Sequence, residues 1–93
     1  MDFNRLANAL LRGEQKHSEP FMQGMTAVLR NRIDQTLVTS PYQAGTVEAD
    51  AFEHGRLRGH NEFRNALIEA DNNRFQAISR LQKLANGNAQ EAA

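Results

Sequence analysis

The sequence predicts an all-α chain: an antiparallel helical hairpin with one long C-terminal helix, plus a short N-terminal helix. Three features predict it. A single apolar stripe keeps a helical period from Phe52 to Ala85, each helical run has a capping residue before it, and a Pro41–Gly45 break separates the two longest runs. At about 100° of rotation per residue, Phe52, Gly55, Gly59, Phe63, Ala66, Leu67 and Ala70 share one stripe with Ala77, Ile78, Leu81, Leu84 and Ala85. The stripe holds its phase, so one amphipathic helix is expected over residues 46–85. Asp71-Asn72-Asn73 is its weak point, because all three are poor helix formers. A break there would make the tail a separate helix.

The elements before it follow in order. Asp2 is a candidate N-cap for a short helix over residues 2–12, with Phe3, Leu6, Ala7, Leu10 and Leu11 at helical spacing. Gly13 can end it in a left-handed conformation. About three turns are not stable alone in water, so this helix needs a dock. Residues 14–19, EQKHSE, read as a linker. Ser18, Glu19 and Pro20 then make a helix start, by side-chain capping, dipole complementation and a proline tolerated in the first turn. A core-facing helix is expected over residues 19–38, with Phe21, Met25, Val28, Leu29 and Ile33 in phase and Leu37 and Val38 widening its face.

The seven residues Thr39–Gly45 form the main connection, with Tyr42 expected over the helix ends. Thr46 caps the long helix, and Glu48 and Asp50 load its first turn with negative charge. A connection this short suits antiparallel neighbours. The expected packing sets Phe21, Met25, Val28 and Leu29 against Phe52, Gly55, Gly59 and Phe63. Glycine inside a helix costs about 1 kcal/mol relative to alanine. Two of them one turn apart, Gly55 and Gly59, therefore point to close approach of another backbone. Asn86-Gly87 stops the last helix, and residues 86–93 read as a frayed tail.

Composition restricts function. At 93 residues the chain is one small helical domain, burying roughly 60–70% of its unfolded surface if it folds alone. Eleven basic and eleven acidic side chains cancel, so net charge does not favour nucleic acid. There is no cysteine for disulfide or thiolate chemistry. The N-terminal segment lacks the apolar run of a signal peptide, and no run approaches the ~20 residues of a membrane span.

No catalytic, cofactor or metal site is expected. His54 and His60 are six residues apart and point to different sides of a helix, unlike a zinc-binding pair, and His17 lies in the linker. Glu53, His60, Arg64 and Asp71 share a strip that reads as a solvated charged face. The arginines of residues 46–85 scatter around the helix with acids between them, so no single-helix basic stripe forms.

Leu57, Ile68 and Phe75 fall off the main stripe on a second, narrower seam. Either they form a face for another protein subunit, or the N-terminal helix folds back through Phe3, Leu6 and Leu10 to cover them.

Residues 51–70, AFEHGRLRGHNEFRNALIEA, combine an aromatic, a glycine and arginines leading into an amphipathic helix. This stretch resembles small structural proteins of tailed bacteriophages with an F-x-x-G-R-R-like core. Phe52, Gly55 and Arg56 match, Arg58 is offset by one, and Leu57 stands where the second arginine of the pair is expected. The resemblance implies an α-helical virion or assembly component, non-enzymatic and oligomeric, contacting its own copies or other virion proteins. It implies a location in the virion, or in the host cytoplasm during assembly. The alternative function is a small helical nucleic-acid-binding or regulatory protein.

Overall fold

A computed structural model describes residues 1–87. Their helices are α1 (Phe3–Leu10), α2 (Glu19–Asp34), α3 (Val47–Glu69) and α4 (Arg74–Ala85), with no strand among the described residues. The all-α expectation therefore holds. Of the frayed tail expected over residues 86–93, Asn86 and Gly87 form a turn after α4, and residues 88–93 lie outside the described residues.

Local signals set the helix starts. Asp2 Oδ1 accepts the Arg5 N–H at 3.1 Å, Ser18 Oγ that of Phe21 at 3.3 Å, and Thr46 Oγ1 that of Ala49 at 3.1 Å. Each satisfies an amide that has no partner within its own helix. Gly13 adopts φ +85° just past α1, a conformation that side chains disfavour.

The long C-terminal helix is corrected. It divides at Ala70–Asn73, where Asp71 and Asn72 take φ of +52° and +64°. Asn73 Oδ1 then accepts the Gln76 N–H at 3.0 Å and starts α4 afresh. Aspartate and asparagine tolerate left-handed geometry and compete for local backbone bonds, which favours the turn over a continuous helix. The apolar phase survives because both helices face the same core: Ala66, Ala70, Ala77, Leu81 and Ala85 are all buried in it.

The 19–38 helix is also shorter than expected. It stops at Asp34, and Gln35 caps it at φ +60°. Leu37, assigned from sequence to the core face, is instead exposed in the connection.

The direction of the hairpin is the third correction. Phe52 meets Gly24, Gly55 meets Phe21 and Met25, and Gly59 meets Met25 and Val28. Arg32 sits over the Phe63 ring at 5.1 Å. From Gly55 through Gly59 to Phe63 the partners advance from Phe21 and Met25 through Val28 to Arg32, so α2 and α3 run parallel. An early helix end leaves residues 35–45 as a long connection. At up to about 3.5 Å per residue it can return along the whole of α2, about 24 Å for 16 residues. Tyr42 fastens this return: its hydroxyl donates to Gln23 Oε1, and its ring lies edge-on to Phe52 at 6.2 Å. The antiparallel pair is α3 with α4, where Arg80 Nη1 donates to the Glu69 carbonyl at 3.2 Å.

The short helix α1 finds its dock on α2 and α4. Phe3, Leu6, Ala7 and Leu11 join Met25, Leu29, Phe63, Ala77 and Leu81 in one core. Alanines at five of the buried positions remove bulk, so four short helices can close on so small a centre.

Candidate protein-interaction surface

The four residues expected to pack the helices are all buried: Phe52, Gly55, Gly59 and Phe63. A Cβ at Gly55 would overlap the Phe21 carbonyl, lying 2.8 Å from its carbon. Gly24, which sequence reading passed over, meets the Phe52 carbonyl in the same way. Its spacing from Gly55 carries no signal, because the two belong to different helices. This backbone proximity also suits Cα–H···O contacts, which recur at helix interfaces.

The three residues of the second seam remain outside this core. Leu57, Ile68 and Phe75 are 59%, 58% and 82% exposed. Docking of α1 elsewhere leaves the seam uncovered. Leu57 and Ile68 are eleven residues apart on α3, about 20° from the same direction, with Asn61 and Arg64 between them on that strip. Phe75 lies past the turn, in the first turn of α4. The structure thus puts the three on two helices, where one was expected.

Beside this strip runs a groove between α2 and α3. Val28, Glu53, Arg56, Leu57 and His60 line its first depression, about 240 Å³. Asn31, Arg32, Gln35, Phe63, Leu67 and Arg74 line the next, about 370 Å³. In each helix these residues fall on one strip at the helical period, and the parallel register makes the two depressions successive.

The groove collects charge from three helices. Arg56 Nη1 reaches both oxygens of Glu53, at 3.2 and 3.1 Å. Arg74 Nη2 donates to the carbonyls of Arg32 and Ile33, at 2.7 and 3.0 Å, and so completes the end of α2. A cation at a helix C-terminus is favoured by the dipole as well as by these bonds. Sequence reasoning found no basic stripe because it surveyed residues 46–85 as one straight helix; Arg32 lies on α2, outside that stretch, and the turn after α3 places Arg74 on a separate helix, α4.

Arg58 serves the fold. It donates to Glu14, with Nη1 3.0 Å from Oε1, and ties the linker before α2 to α3. These bonds, with a further one from His17, lower the Glu14 pKa to about 2, and the same contact raises that of Arg58. His17 also stacks on Phe21, ring centroids 4.1 Å apart. Phe52, Gly55, Arg56 and Arg58, the residues carrying the phage-protein resemblance, thus have internal partners.

Of the remaining titratable candidates, His54 is exposed and His60 lines the groove. Among the described residues no three His, Cys, Asp or Glu side chains come together as a metal site, and no helix is long and apolar enough to cross a membrane. No protein-family model, curated protein or solved structure matches the chain.

Proposed function

We propose that the chain is a non-enzymatic structural or assembly protein that works through helix–helix contacts, with Leu57, Ile68 and Phe75 in its contact face. The observation that carries this is the exposure of all three, while Phe52 and Phe63, the aromatic side chains of α3's apolar stripe, are buried. Each contributes about 1.5–3 kcal/mol when fully buried, a gain available only on association. The virion setting, in a particle or in host cytoplasm during assembly, rests on the resemblance of residues 51–70 to small tailed-phage structural proteins.

Light scattering on the purified chain at rising concentration tests this reading. The wild type is expected to gain mass above 10.5 kDa. The double variant Ile68→Asp/Phe75→Asp should stay monomeric with unchanged helicity. Identical scattering from the two proteins would reject self-association through this face and leave only a partner of another kind. Loss of helicity in the variant would show instead that the seam belongs to the core.

A further inference from the structure

We propose that the α2–α3 groove receives an acidic amphipathic helix of another protein. This rests on the contact-face reading above and adds the chemistry of the partner. The chain carries equal numbers of basic and acidic side chains, yet the groove does not share that balance. Arg32, Arg56 and Arg74 line it, and Glu53 is its single lining carboxylate; by helical period Arg64 falls on the exposed Leu57–Ile68 strip of α3. Glu53 is already held by Arg56. Asp34 ends α2, Asp71 lies in the turn between α3 and α4, and neither lines either depression.

Arg32, Arg64 and Arg74 form no ion pair among the described residues. Arg32 rests on the Phe63 face and Arg74 on the carbonyls that end α2, so neither is paired with a carboxylate. A carboxylate placed over them would gain charge-assisted bonds without breaking an existing pair. Alternation of these cations with apolar positions gives the partner its shape. Leu57 opens the groove and Leu67 lines its far end, while Ile68 lies on the Leu57 strip of α3. From Arg56 to Leu67 the groove extends about 16 Å, three turns of helix. A partner helix with an apolar stripe and glutamates along its edge matches both features, the stripe for contact and the edge for selection. A nucleic-acid backbone would meet the arginines but offers nothing for the aliphatic positions.

The test uses the full chain and two synthetic probes of about 16 residues, long enough to hold helix. One carries leucines at i, i+3, i+4 and i+7 with flanking glutamates; the other replaces every glutamate with lysine. Backbone amide shifts locate binding, and titration gives affinity. The acidic probe should move the amides of Leu57, Arg64, Leu67, Ile68 and Phe75. It should bind at least about tenfold tighter than the basic probe, and weaken by about that factor from roughly 0.05 to 0.5 M salt. Arg64→Glu, an exposed position, should lower its affinity about tenfold while circular dichroism stays unchanged. No binding of the acidic probe, shifts elsewhere, or an oligonucleotide that binds the same amides more tightly would overturn the proposal. Equal binding of both probes, abolished by Ile68→Asp/Phe75→Asp, would overturn the charge assignment while leaving the contact face standing.

Discussion

Gly55 lies directly against the backbone carbonyl of Phe21, in a contact that leaves no room for even a methyl group. Gly24 makes the reciprocal contact against the Phe52 carbonyl, at the same crossing of the two helices. Two effects oppose each other on replacement by alanine. Helix propensity gains about 1 kcal/mol, whereas forcing two backbones apart costs about 1–3 kcal/mol or more. The obstacle is main chain, which has no alternative rotamer, so the cost should win. Gly24→Ala and Gly55→Ala are expected to lower the melting temperature clearly, and His54→Ala hardly at all. Gly59→Leu should likewise be far more disruptive than His60→Leu. Equal thermal shifts within these comparisons would refute close backbone packing.

The parallel sense of α2 and α3 depends on the length of what joins them. Deleting residues 36–39 would leave seven of the eleven residues 35–45, a reach of about 24 Å, with no slack to return along α2. The deletion removes mostly exposed side chains, yet it should destabilise the fold strongly in urea titrations. An antiparallel pair would accept the shorter connection with little change.

At the α3–α4 turn, Asn73→Ala should cost about 1 kcal/mol through loss of the cap on Gln76. Asn72→Gly should be neutral or stabilising, because glycine takes positive φ without strain. The denaturation midpoint of Asn73→Ala should therefore fall, and that of Asn72→Gly should hold or rise. A continuous helix in solution would reverse the order, with Asn73→Ala stabilising and Asn72→Gly destabilising.

The Glu14–Arg58 contact predicts an acid response. A carboxylate lowered from 4.5 to about 2 by its native partners binds protons more readily in the unfolded chain. Its stabilising contribution is thus fully present above about pH 4.5 and is lost as the pH falls toward about 2. Glu14→Gln removes that titration, so its stability should depend less steeply on pH in this window than the wild type's. Parallel curves for the two proteins would show that the contact does not persist in solution.

Local chemistry determined much of this protein from sequence alone. Asp2, Ser18 and Thr46 start helices because a short side-chain oxygen can reach an amide within three residues, whatever surrounds it. The apolar stripe named Phe52, Gly55, Gly59 and Phe63 as inward because burial follows helical period. Where the chain reverses, and in which direction, was decided by the tertiary structure. The stripe from Ala66 to Ala85 keeps the same phase straight or folded, so periodicity could not distinguish one helix from two. Residues 35–38 continue an apolar pattern, yet α2 ends at Asp34, and only that early end frees enough chain for α3 to run parallel to α2. The basic groove is the same kind of product. Arg32 and Arg74 are isolated charges on their own helices and become neighbours of one groove through packing, because charge adds in space and not along the chain.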